Sequence, residues 1–194
     1  MRDQHRFNPK AWLLWTVGFL AFPIAGILAE ALTGRINDAS SALIGGMVAG
    51  AVIGTGQWLV ARRLLEAQTW IPATALAMGI GLAVGAWVVG YGTSLGELVL
   101  MGAITGIPLG VAQAYLLRDR VANAWVWAAT MPILWALGWT ITTAGGIDVD
   151  RQFAVFGAYG AITFMALSGG LLDRLRAATP AAPPVHPTRN KALV

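Results

Sequence analysis

Six long apolar segments leave this 194-residue chain few ways to fold. Each is close to the roughly 20 residues that a helix needs to cross the hydrocarbon core of a bilayer, where a helix satisfies its own backbone hydrogen bonds. Barrel strands would alternate apolar and polar residues, and these segments do not. The segments are residues 11–32, 41–61, 70–89, 95–117, 124–144 and 153–172. They predict an all-α membrane protein with six transmembrane helices.

Charged residues are too scarce to cover the surface of a soluble domain. They make up 11% of the chain, whereas soluble domains carry about 25%. The first segment ends near Ala29-Glu30-Ala31, which is typical of a signal-peptide cleavage site. Its apolar run, however, exceeds the roughly 7–15 residues of a signal peptide, so we expect it to remain as the first span.

Basic residues are distributed unequally between the two ends of the predicted helices. Because basic loops stay in the cytoplasm, the distribution predicts that both termini are cytoplasmic. An even number of spans agrees, since it places both termini on the same side. Residues 1–10 then form a cytoplasmic segment, 11–172 the transmembrane domain and 173–194 a cytoplasmic Pro/Ala-rich tail. Of the 13 basic residues, Arg35 and Arg151 lie on one side and eleven on the other: Arg2, Arg6, Lys10, Arg62, Arg63, Arg118, Arg120, Arg174, Arg176, Arg189 and Lys191.

Tryptophan residues fall mainly near the predicted cytoplasmic helix ends. Since tryptophan is enriched at membrane–water interfaces, this position predicts an interfacial belt. Trp87 and Trp139 lie toward the other face, and Trp135 lies deeper. The residues predicted to form the belt are Trp12, Trp15, Trp58, Trp70, Trp125 and Trp127.

An internal repeat relates the second and fourth segments. At a shift of 56 residues, Gly46, Gly50, Gly54, Gln57 and Arg62 coincide with Gly102, Gly106, Gly110, Gln113 and Arg118. The helices that follow match at a shift of 57, which pairs Trp70 with Trp127 and Gly81 with Gly138. The sixth segment repeats the sequence GAIT of 102–105 at 160–163 and ends at Arg174, but it has no glutamine. This pattern predicts three tandem helical hairpins in one orientation, of which the third is degenerate.

The repeated residues indicate close helix packing. Glycines at every fourth position share one helix face and allow another backbone to approach, so we interpret the six repeated glycines as packing residues. Gln57 and Gln113 continue that face and are expected to form interhelical hydrogen bonds; the alternative is a polar pathway or ligand site. The basic residues beyond the helix ends are predicted to contact lipid headgroups or a partner: Arg62, Arg63, Arg118, Arg120 and Arg174.

Catalytic, cofactor and metal sites are not predicted. The chain has no cysteine, its two histidines lie in the terminal segments, and no lysine lies within a span. Glu97 is expected at the interface, with a proton relay as the alternative, and Asp148 and Asp150 in a solvated loop. Pro108 and Pro132 lie inside spans and predict either a helix bend or a cavity.

The hairpin pattern GTGQWLVARR, followed by a helix that begins with a tryptophan, resembles small multi-pass bacterial membrane proteins that are mostly uncharacterised. The resemblance covers roughly residues 46–172. It implies a location in the bacterial inner membrane. Because no activity is known for these proteins, the resemblance transfers no site residues.

The pattern as a whole favours a non-enzymatic membrane scaffold or an accessory subunit of a larger membrane complex. The alternative is a small-solute transporter or channel built from hairpin repeats. The expected partners are membrane lipids and one or more proteins in the bilayer, and no nucleic acid. Residues 178–190 are rich in proline and alanine, a composition that predicts a polyproline-like segment that gains order on a partner.

Overall fold

The computed structural model describes residues 7–147 and 154–177, and the regular structure in these ranges is helical. This confirms the predicted all-α class. The elements are α1 (Pro9–Val17), a 3₁₀ turn (Gly18–Leu20), α2 (Ala21–Thr33), α3 (Ala39–Ala61), α4 (Ala67–Val88), α5 (Leu95–Leu117), α6 (Ala124–Ala144) and α7 (Ala158–Ala177).

Five helical segments are long and apolar enough to cross a membrane, and α1, the 3₁₀ turn and α2 together form the first of them. The predicted limits of α5 and α6 are correct. The sixth segment differs, since α7 begins at Ala158 rather than at position 153. Ala154, Val155 and Phe156 precede it as buried, non-helical residues. The charged residues near its end, Asp173, Arg174 and Arg176, lower its mean hydropathy, so α7 is not among the five.

Polar residues start α3 and α5 through reciprocal caps. The Asp38 side chain accepts hydrogen bonds from the backbone N–H groups of Ser40 and Ser41, at 2.8 and 2.9 Å. Bonds from the Ser40 side chain and the Ser41 backbone hold the pKa of Asp38 below its ordinary value. Ser94 and Glu97 form the same kind of capping box at α5. Such caps satisfy backbone donors that a helix start leaves unpaired.

The helical segments close into a ring. Each segment packs against the next along the chain, and α7 packs against α1 and the 3₁₀ turn. Large buried side chains fill the interior of the ring. Between α2, α6 and α7 they are mainly aromatic and in contact with one another: Phe22, Trp135, Trp139, Phe156 and Phe164.

One end of the ring, here called the basic end, is formed by the loops after α3 and α5, the start of α1 and the last turn of α7. Leu65 and Val121 of the two loops are buried, and the Ala122 backbone N–H donates to the Leu175 carbonyl at 3.1 Å. Arg35 lies in the loop at the opposite end. The basic residues at the basic end are Lys10, Arg62, Arg63, Arg118, Arg120, Arg174 and Arg176.

Candidate functional site

The three glycines on the predicted packing face of α3 lie against α4: Gly46, Gly50 and Gly54. A Cβ atom on Gly50 would lie 2.7 Å from the carbonyl oxygen of Thr74 and 2.8 Å from the Cα of Ala75. A Cβ atom on Gly46 would lie 2.8 Å from the Cα of Gly79. These distances are too short for any side chain, so α3 and α4 meet backbone to backbone and run antiparallel.

The three glycines on the predicted packing face of α5 lie against α6 in the same way: Gly102, Gly106 and Gly110. A Cβ atom on Gly106 would lie 2.6 Å from the Cα of Pro132 and 2.7 Å from the carbonyl oxygen of Met131. A Cβ atom on Gly110 would lie 2.7 Å from the carbonyl oxygen of Ala128. Pro132, predicted to bend its helix or shape a cavity, therefore packs against the glycine face of α5.

The close approach of α3 and α4 brings Gln57 next to Trp70. The Trp70 indole Nε1–H donates to Gln57 Oε1 at 3.1 Å, and both side chains are buried. Gln57 lies four residues before the end of α3, about 6 Å along the helix axis. Its depth is therefore close to the basic end, as the sequence predicts.

Gln113 of α5 makes the corresponding bond and also links the two helix pairs. Its Oε1 accepts from Trp127 Nε1–H of α6 at 3.1 Å. Its Nε2 donates to Gln57 Oε1 at 3.3 Å and to Thr74 Oγ1 of α4 at 3.2 Å. Four helices are thus joined by side chains that are at most 1% exposed.

The two indoles determine how the amides are oriented. An indole N–H only donates, so each glutamine must turn its oxygen toward its tryptophan. That leaves both N–H groups of Gln113 to donate to Gln57 and Thr74, and the Gln57 oxygen uses both of its acceptor positions. The Gln113 amide therefore has its hydrogen-bonding capacity almost fully used within the protein.

A third tryptophan bond lies where the chain ends meet. The Trp15 indole Nε1–H of α1 donates to Ser168 Oγ of α7 at 3.0 Å, and both side chains are buried. Trp15 also meets Trp127 edge to face, with ring centroids 6.2 Å apart. We call these residues together the glutamine–tryptophan layer: Trp15, Gln57, Trp70, Thr74, Gln113, Trp127 and Ser168.

Sequence analysis did not predict Ser168 and Thr74 as members of this layer. Gln57 and Gln113 each precede their arginine by five residues, whereas Ser168 precedes Arg174 by six. A fixed shift of 56 from Gln113 consequently falls on Gly169. The GAIT sequence and Arg174 both predicted that α7 is related, but they imply shifts of 58 and 56, which place Gln113 on Leu171 and on Gly169. Ser168 corresponds to a shift of 55, so neither feature identified it.

The predicted tryptophan belt is wrong for three of its six members. Trp15, Trp70 and Trp127 are buried in the layer, at 4%, 1% and 0% exposure. Their position near a helix end does not distinguish an interfacial side chain from one that points into the ring. Trp125 is 69% exposed, and the Trp12 indole donates to the Ala166 carbonyl at 2.8 Å.

Arg120 and Arg118 contact the protein itself. The Arg120 guanidinium donates to the Leu64 carbonyl and to the Glu66 carboxylate, which ties the loop after α5 to the loop after α3. Arg118 donates to the Tyr115 carbonyl at 2.7 Å and stacks over the Tyr115 ring at 3.9 Å. The other predicted headgroup or partner contacts are exposed at the basic end: Arg62, Arg63 and Arg174.

The acidic candidates offer no clustered site in the described ranges. Glu97 accepts from the Ser94 backbone N–H at 2.8 Å as part of the α5 cap. Within residues 7–147 and 154–177, no three His, Cys, Asp or Glu side chains come together in a way that would hold a metal ion. Asp148, Asp150 and the tail from residue 178 lie outside the described residues.

The structure thus defines an all-α protein whose apolar helices are typical of multi-pass membrane proteins, with a buried polar layer at one end of the ring. Comparison with known proteins finds no matching family model, no similar curated protein and no similar solved structure.

Proposed function

We propose that the chain crosses the membrane six times, with both termini and the basic end in the cytoplasm. The sixth crossing is supported by the packing of α7, which lies antiparallel to α1 on one side and to α6 on the other. At 20 residues it is about 30 Å long, enough for the hydrocarbon core. The gathering of seven of the eight described basic residues at one end supports the orientation.

Reporter fusions test this topology. A reporter inserted at Ser94, between α4 and α5, is expected on the periplasmic side, and a reporter after Val194 on the cytoplasmic side. An alkaline phosphatase that is active only outside the cytoplasm and a fluorescent protein that is active only inside give opposite signals at the two sites. Signals from the same side at both sites would contradict six spans.

The predicted repeat takes a cyclic form in this proposal. Its three units are α3–α4, α5–α6 and α7–α1, so the third unit is formed from the two ends of the chain. Each unit contributes one tryptophan that donates to a polar side chain of its partner helix: Trp70 to Gln57, Trp127 to Gln113 and Trp15 to Ser168.

The function that this geometry favours is that of a non-enzymatic membrane scaffold or accessory subunit. The observation that carries the proposal is the glutamine–tryptophan layer, whose polar groups bond to one another across the ring rather than facing an open path. The aromatic side chains between α2, α6 and α7, such as Trp135 and Phe164, are also buried. A ring whose interior is filled by side chains suits a protein that holds partners at its outer surface.

A pull-down experiment tests the scaffold proposal. Full-length protein extracted in mild detergent is expected to co-purify with a defined membrane partner, and a variant without residues 178–194 is expected to lose most of that partner. The physical reason is that a proline-rich segment starts close to an extended conformation and loses little entropy when it binds. The truncated protein should keep the thermal stability of the full-length protein, since the layer lies within residues 15–168.

The transporter alternative predicts a different outcome. Protein that purifies alone and gives solute flux in reconstituted vesicles would replace the scaffold proposal with a transporter. In that case Gln57→Leu, compared at equal amounts of folded protein, is expected to change the flux, because its substitution lies inside the ring, where a solute would have to pass.

A further inference from the structure

A groove opens at the basic end between the first helical segment and α3. Its mouth, of about 550 Å³, is bounded by the start of α1, the end of α3 and the last turns of α7. An apolar groove of about 480 Å³ continues between α1–α2 and α3 toward the middle of the ring wall. Leu59 and Val60 line both parts, so the two adjoin at these side chains, and we treat them as one groove.

The mouth has the chemistry of an anion site. Among the residues that the structure describes, Arg62, Arg63 and Arg176 line it together with a single carboxylate, Asp173. Guanidinium groups bind phosphate oxygens through paired hydrogen bonds. The first turn of α1 also begins here, since Ala11 belongs to the lining, and the amino end of a helix carries partial positive charge.

The continuation of the groove has the chemistry of a hydrocarbon site. Its walls are aliphatic, with Leu20 and Ile24 on one side and Val52 on the other. The one hydroxyl in the lining, Thr55 Oγ1, donates to the Ala51 carbonyl at 2.7 Å and so offers no unpaired donor. From Val60 to Ala51 this part follows α3 for about 13 Å.

We infer that this groove binds one anionic phospholipid, with its phosphate at Arg62, Arg63 and Arg176 and an acyl chain between α2 and α3. The basic mouth selects the negative headgroup, and the apolar continuation selects a lipid over a soluble anion. In the proposed topology the mouth lies at the level of the headgroups, and the apolar part lies at the depth of acyl chains. The inference rests on that topology and holds whichever proteins the chain assembles with.

Native mass spectrometry of the full-length protein in detergent, with added phosphatidylglycerol or phosphatidylcholine, tests the inference. Phosphatidylglycerol is expected to remain bound at one molecule per chain, and phosphatidylcholine to be lost. Each arginine near a headgroup contributes about fivefold to affinity, so R62Q/R63Q is expected to bind phosphatidylglycerol roughly 25-fold more weakly. R118Q/R174Q removes the same charge from the same end but outside the groove lining, and should bind as the unmodified protein does.

A second pair of variants tests the apolar part. Thr55→Phe fills the groove and is expected to abolish retention, whereas Val111→Phe, at a side chain that is 58% exposed on α5, is expected to leave it unchanged. The inference would be overturned if R118Q/R174Q bound phosphatidylglycerol as weakly as R62Q/R63Q does. It would also be overturned if the protein retained phosphatidylcholine as well as phosphatidylglycerol, or if Thr55→Phe retained phosphatidylglycerol fully. Displacement of the lipid by millimolar inorganic phosphate would also overturn it, since a soluble anion would then suffice.

Discussion

Gly106→Leu is expected to leave the protein unable to form its native helix packing. A Cβ atom at this position would meet the Cα and N of Pro132 at 2.6 and 2.7 Å and the Met131 carbonyl oxygen at 2.7 Å. All three are backbone atoms of α6, so no side-chain rotation relieves the contact. Overpacking a well-packed core costs about 1–3 kcal/mol. We expect Gly106→Ala to lose that amount and Gly106→Leu to lose more, because the larger side chain must push the whole helix away.

Thermal unfolding in detergent, followed by size-exclusion chromatography, measures this effect. Gly50→Ala on α3 is expected to behave like Gly106→Ala, since its Cβ would meet the Thr74 carbonyl oxygen at 2.7 Å. Gly96→Leu on α5 is the matched control, because no atom lies within 4 Å of a Cβ atom built there. A Gly106→Leu protein as stable as Gly96→Leu would contradict the described packing of α5 on α6.

Gln57→Leu is expected to have the second largest effect. The substitution removes the acceptor of the Trp70 indole and one of the two acceptors of the Gln113 amide. Interhelical hydrogen bonds in membrane proteins contribute about 0.6–2 kcal/mol each, so the loss of two predicts a destabilisation of roughly 1–4 kcal/mol. The two N–H groups that lose their acceptor, on Trp70 and Gln113, remain buried, so water cannot replace the lost acceptor.

A double-mutant cycle isolates the bond between the two glutamines. Gln57→Leu and Gln113→Leu together are expected to cost less than the sum of the single variants, by about 0.5–3 kcal/mol, because the double variant no longer strands a Gln113 N–H. The pair Gln57→Leu and Ser168→Ala serves as the control and should be additive, since Ser168 bonds to Trp15 instead. Unchanged stability in Gln57→Leu would show that the bonds between the helix pairs do not hold the ring together.

Local sequence features predicted the helices and the packing faces well. Long apolar runs with few charges favour helices in a bilayer regardless of their neighbours, which is why the limits of α5 and α6 could be predicted. The start of α7 could not, since residues 154–156 are as apolar as a helix interior but are buried without helical structure. Only their contacts, such as those of Phe156 with Trp135 and Phe22, show why they leave the helix.

The candidate site was predicted in part. The 3.6-residue period places Gln57 and Gln113 on the glycine faces from sequence alone, and the repeat predicts that they occupy one depth. It does not predict that Gln113 reaches Gln57 and Thr74 at the same time, because that depends on how two helix pairs turn toward each other. The tryptophans show the same limit. The sequence predicted how far along its helix each tryptophan lies, but not whether its side chain points into the ring or outward.

The sequence by itself determined the class of protein, the glycine faces and the unequal distribution of basic residues, because these depend on composition and on the period of a single helix. Only the tertiary structure decided that the chain ends meet, that Trp15 bonds to Ser168, and that Trp70 and Trp127 point into the ring. These features depend on which helices become neighbours when the ring closes. Residues such as Trp15 and Ser168, 153 positions apart in the chain, leave no local pattern of their pairing, because the contact exists only once all the intervening helices have packed.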